Sequence, residues 1–155
     1  MKARILAASA ALAALAGCGS PTDNTTFAPP ASFHSIASIG PFVQMWQSGS
    51  DQMLMLFAMP VKSDLHDAMS QANVKDIAEM NTETIKICDG KQQAIFVTGD
   101  TVGKTSSDGK TTKPQKLEMI LTDISGKTYM AMYMRPMQTP ADTAAEASIK
   151  NLCTK

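Results

Sequence analysis

Sulfur is the element through which this chain could do chemistry. Twelve methionines and three cysteines stand in 155 residues, beside only two histidines. A cysteine thiol can be acylated, can pair oxidatively or can hold a metal. A methionine thioether is a neutral, soft ligand suited to copper(I). Met53, Met55 and Met59 fall in one apolar run, and Met130, Met132 and Met134 in another, with Met137 just beyond. At the two-residue period of a strand, Met53 and Met55 share a face, and so do Met130, Met132 and Met134. Two adjacent strands could present these thioethers to copper, with His34 or His66 as a further ligand. The principal reading is plainer: methionine fills irregular gaps in a core as a flexible hydrophobe. No cofactor is then expected, and a copper site of Met53, Met55, Met130, Met132 and Met134 is the alternative.

Other motifs fail on their own chemistry. Gly99-Asp100-Thr101-Val102-Gly103-Lys104-Thr105 imitates a phosphate-binding loop, but only three residues separate its glycines. Four are needed for the amides to wrap a phosphate. Ser107-Asp108-Gly109-Lys110 matches S-x-x-K without the helix or the companion motifs that chemistry requires. Asp64-Leu65-His66-Asp67 offers ligand-type side chains, but a metal site needs at least three converging ligands and nothing elsewhere supplies them, so solvated first-turn residues are expected there. Nothing points to an enzyme. Fourteen basic residues balance fourteen acidic ones, which leaves no electrostatic footprint for nucleic acid.

The N-terminus explains the odd cysteine. Lys2 and Arg4 precede residues 5–16, an almost pure Ala/Leu run, and Leu15-Ala16-Gly17-Cys18 follows. Positive charge, then about a dozen apolar residues, then small residues is the layout of a secretory signal. The run falls short of the ~20 residues a bilayer span needs. Its end resembles the bacterial lipobox. That resemblance implies cleavage after Gly17 and acylation of Cys18 by diacylglyceryl and palmitate-type chains. Two or more chains anchor a protein stably. Gly19 after the cysteine, by analogy with enteric sorting rules, favours the periplasmic face of the outer membrane. Removing residues 1–17 would leave 138 residues, with twelve basic against fourteen acidic side chains after the loss of Lys2 and Arg4. Cys88 and Cys153 would remain as an even pair in an oxidising compartment, where a structural disulfide is expected.

The elements that must position these residues are legible in part. Residues 19–32 carry three prolines and read as a flexible tether, so 18–38 is expected to be lipidated linker and 39–155 a single domain. Strands are expected over 42–47, 52–59, 82–88, 94–97, 117–124 and 129–135. Ser48-Gly49-Ser50-Asp51, Asp89-Gly90 and Ser125-Gly126-Lys127 supply the turns. Ser63 can cap a helix over 63–72, while 73–80 is ambiguous. Thr139, as N-cap, opens a last helix that carries Cys153 on its apolar face. The order ββαββββα predicts an α+β domain: an antiparallel sheet of about six strands with two packed helices, after the signal helix and linker.

The sequence of elements resembles PsbP-like domains over roughly residues 41–153. The features that carry it are Trp46 near the end of a first strand, Asp89-Gly90 with Ala94 soon after, the hairpin ending Tyr129-Met130-Ala131-Met132-Tyr133-Met134-Arg135-Pro136, and a last helix with Ser148-Ile149. The resemblance implies an accessory or binding module and transfers no site residue. The expected partners are the membrane, through Cys18, and another envelope protein.

Overall fold

The computed structural model describes residues 20–59, 67, 77–105 and 107–155. Seven strands form one antiparallel sheet: β1 (His34–Ile39), β2 (Val43–Ser48), β3 (Gln52–Ala58), β4 (Ile77–Ile87), β5 (Gln92–Thr101), β6 (Gln115–Ile124) and β7 (Lys127–Pro136). Their spatial order is β1-β2-β3-β7-β6-β5-β4. A single helix is bounded among the described residues, α1 (Thr143–Lys150). The expected α+β arrangement of about six strands and two packed helices is therefore corrected. The described chain is mainly sheet, with one short helix against it. The helix expected over 63–72 lies outside the described residues.

The hairpins arise where turn chemistry demands them. Ser125 and Gly126, at φ 50° and 78°, link β6 directly to β7. Both signs are positive, as a two-residue turn matching strand twist requires, and glycine takes such a φ without penalty. The β6–β7 register runs without a break from Gln115↔Pro136 to Ile124↔Lys127. At the far edge, β4 carries a bulge between Ala78 and Asn81 against β5.

Directly opposed residues share a face of an antiparallel sheet, so the register sorts the side chains into two sets. The first face presents Trp46, Leu54, Leu56, Ala58, Ala94, Ile120, Tyr129, Ala131 and Tyr133. Ala145, Ile149 and Leu152 from the helical end pack on it, together with Phe27 and Phe33. The second face presents Val97, Met119, Leu121 and Met130, with Phe57, Met59, Ile95 and Met132 beside them. Each strand through the centre is thus apolar on both sides, as the run from Met53 to Met59 anticipates.

Two boundaries differ from expectation. Residues 20–38 are not a free tether. Thr25 is fully buried, Phe27 and Phe33 are nearly so, and 34–39 is a strand on β2. Polar composition hides this segment, because only two aromatic rings do the packing and β1 is an exposed edge strand. The ordered body therefore starts well before residue 39. Helix α1 also starts later than Thr139. Thr139 donates its N–H to Pro136 O at 3.0 Å, in a turn. Asp142 is the cap, accepting from the N–H groups of Ala144 and Ala145 at 2.9 and 3.2 Å. A carboxylate at this position satisfies orphan amides and also meets the positive end of the helix dipole.

Candidate functional site

Three groups of residues could carry function: the cysteines, a polar cluster under α1, and the methionine face.

Cys18 lies outside the described residues. Cys88 and Cys153 are bonded, with S–S 2.06 Å and Cα–Cα 5.7 Å across a separation of 65 residues. Cys88 opens the β4–β5 turn at φ 58°. Cys153 lies beyond α1, not on its apolar face. It sits in a short extended stretch that holds the N-terminal segment: Thr26 donates its N–H to Cys153 O at 2.8 Å, and Thr25 bridges Thr154. One bond thus ties the turn, the chain end and the N-terminal segment together. Positive φ at Cys88 costs energy for a residue with a Cβ, and the disulfide helps hold it there.

The polar cluster stands where the first face meets α1. Tyr133 is fully buried. Its hydroxyl donates to Gln52 Oε1 and accepts the Asp142 N–H at 3.0 Å. Burial raises the Tyr133 pKa, while the Asp142 amide and Arg135 pull it down. Arg135 contacts Glu118 at 3.5 Å and donates to Thr139 O at 3.2 Å. These bonds anchor the 136–142 connection, and so the start of the helix. Tyr133→Phe is expected to cost about 1–3 kcal/mol, because it removes two hydrogen bonds to half-buried partners at once. Chemical denaturation checks this, and a loss within experimental scatter would refute the network.

Glu118 titrates above the usual carboxylate range. Burial is the first cause and the neighbouring Glu146 carboxyl the second, with Arg135 opposing. The folded chain therefore holds this proton at pH values where the unfolded chain has released it. The Glu118 contribution is most favourable below the ordinary carboxylate pKa and declines as pH rises through the raised value. Urea midpoints measured from acid toward neutral pH should show this decline, and Glu118→Gln should flatten it. A groove of about 360 Å³ opens beside the pair and is lined by Glu79, Asp100, Lys116, Glu118 and Arg135, among others. Its charges are of mixed sign, so it selects neither an anion nor a cation. The glycines of the phosphate-loop imitation fall apart, Gly99 within β5 and Gly103 after it.

On the second face the strands gather the methionines. Met53 opposes Met134, and Met55 opposes Met132. Met55 also opposes Met45 on β2, and Met132 opposes Met119 on β6. A row Met45–Met55–Met132–Met119 therefore crosses four strands. Met130 opposes Phe57 and Leu121 and is nearly fully buried. Four of the five methionines singled out by sequence, Met53, Met55, Met132 and Met134, form a half-buried two-by-two block. The fifth, Met130, belongs to the buried cluster. Sequence periodicity misses Met45 and Met119, because their place depends on which strands become neighbours. His34 opposes Gln47, which opposes Met53, so two strand spacings (roughly 10 Å) separate His34 from the block. His66 lies outside the described residues. Among the described residues no group of three or more His, Cys, Asp or Glu converges as a metal site. No helix among them is long and apolar enough to cross a membrane, which says nothing of strands.

The sequence matches no family model and no curated protein. Among solved structures it is similar to the Saccharomyces cerevisiae Ran-binding protein Mog1p, at 11% identity and a TM-score of 0.43, covering 79% of this chain and 76% of that one. It is also similar to a point mutant of Mog1, at 12% identity and a TM-score of 0.40, covering 80% and 77%. Both likenesses are remote.

Proposed function

We propose that this chain is a lipid-anchored protein of the cell envelope, whose disulfide-stapled sheet serves as a non-catalytic binding or accessory module for another envelope protein. The observation that carries the reading is the order charge, apolar run, Leu15-Ala16-Gly17-Cys18 at the N-terminus. The Cys88–Cys153 bond supports export independently, because such bonds persist in oxidising compartments. Gly19 favours the periplasmic face of the outer membrane.

The packed N-terminal segment alters how such an anchor would work. Only seven Cα–Cα steps separate Cys18 from the fully buried Thr25. Fully extended, they span at most about 25 Å. The body would be held close to the bilayer, not lifted away on a long tether. Labelled palmitate supplied to cells making the full chain is expected to enter it, and Cys18→Ala is expected to abolish entry. Equal labelling of the variant would defeat the proposal.

A further inference from the structure

Methionine use on the sheet is one-sided. On β2, β3, β6 and β7 the second face carries Met45, Met53, Met55, Met119, Met130, Met132 and Met134. The first face of the same four strands has a buried apolar cluster of its own and carries no methionine; that cluster uses Trp, Leu, Ile, Ala and Tyr. If methionine served only as a gap-filler, both faces would have use for it. On these four strands sulfur is confined to one face.

The seven also differ in burial. Met119 and Met130 are closed off with Val97 and Leu121. Met45, Met53, Met55, Met132 and Met134 are half-buried on three adjacent strands. Opposed side chains on neighbouring strands start about 5 Å apart at Cβ. Each methionine then has three rotatable bonds with which to bring its sulfur to a common point. Neutral thioethers supply no counter-charge, so a monovalent ion is far less costly to hold here than a divalent one. No converging His, Cys, Asp or Glu among the described residues adds a harder ligand. Soft ligands alone select a soft ion.

We propose that Met45, Met53, Met55, Met132 and Met134 form a thioether site for a soft monovalent metal ion, copper(I) or silver(I), on the second face of the sheet. The site binds the ion without changing its oxidation state. It stands apart from the lipid anchor, since Cys18 belongs to none of these strands, and either idea can fail alone.

Silver(I) is the suitable probe, because it needs no reductant that would open the disulfide. The mature full chain, in detergent and carrying ¹³C-methyl methionine, is titrated with silver(I) and followed by NMR. Methyl signals of the five named residues should shift together and saturate at one ion per chain, while the exposed Met80 stays unmoved. Met55→Leu with Met132→Leu keeps side-chain volume and should weaken binding about tenfold or more. If that pair fails to fold, Met53→Leu with Met134→Leu makes the same test. Absence of a saturable shift, an equal shift at Met80, or unchanged affinity in a folded double variant would each overturn the site. Readout at the methionine methyls keeps silver bound at any free thiol from being mistaken for it.

Discussion

Phe27→Ala should destabilise the domain by about 3–5 kcal/mol, the cost of removing a large buried aromatic ring. Phe27 lies nine residues after Cys18, in a stretch whose proline and threonine content reads as linker. In the fold its ring is nearly fully buried, with its centroid 5.4 Å from that of Trp46. Trp46 in turn opposes Leu54, at the middle of the first face. Emptying the Phe27 site leaves a cavity between the sheet and the segment that covers it. Were residues 20–33 a free tether, the same substitution would stay within about 0.5 kcal/mol, as exposed positions do. The denaturation midpoint of the two chains separates these outcomes.

Opening the disulfide should have an effect of similar size. Cys88→Ala with Cys153→Ala frees a loop of 65 residues, worth roughly 4 kcal/mol in the chain-entropy account. More than that loop is affected. Cys153 O accepts the Thr26 N–H at 2.8 Å, and Thr26 Oγ1 donates to Asn151 O at 2.6 Å. Release of the chain end therefore loosens the N-terminal segment that carries Phe27. The two losses should not add, because both variants weaken the same contact. Combining all three substitutions is expected to cost measurably less than the sum of the separate losses. Strict additivity would show that the N-terminal segment packs independently of the disulfide.

What the sequence makes legible is local. The Ser125-Gly126 turn, the Asp89-Gly90 turn and the alternation around Thr82–Cys88 depend on neighbouring residues, and the hairpins they imply are present. Pairing of Cys88 with Cys153 is expected once Cys18 is set aside as the site of acylation, which leaves an even pair. Elements that depend on distant partners are hidden. β1 is a short, exposed edge strand of Ser, Ala and Ile, held by pairing with β2 and not by its own pattern. Phe27 and Phe33 read as isolated aromatics until the first face receives them. Thr139 and Pro140 carry ordinary helix-start signals, yet the Asp142 carboxylate is the acceptor that α1 uses.

The methionine face shows the same division. Period two correctly places Met53 with Met55, and Met130 with Met132 and Met134, but periodicity within one strand says nothing about its neighbours. Only the order β2-β3-β7-β6 brings Met45 and Met119 into line with Met55 and Met132. It also separates Met130, which faces Leu121 and is buried, from the four that remain half-exposed. His34 is removed from the block by the same register.

The proposed membrane attachment rests on anchorage at Cys18, and the mass of the N-terminal peptide of the chain isolated from envelopes decides it. The expected peptide begins at Cys18 and carries a thioether-linked diacylglyceryl group with an acylated amino terminus. A peptide that retains residues upstream of Cys18, or one that carries Cys18 as a free thiol, would rule the anchor out.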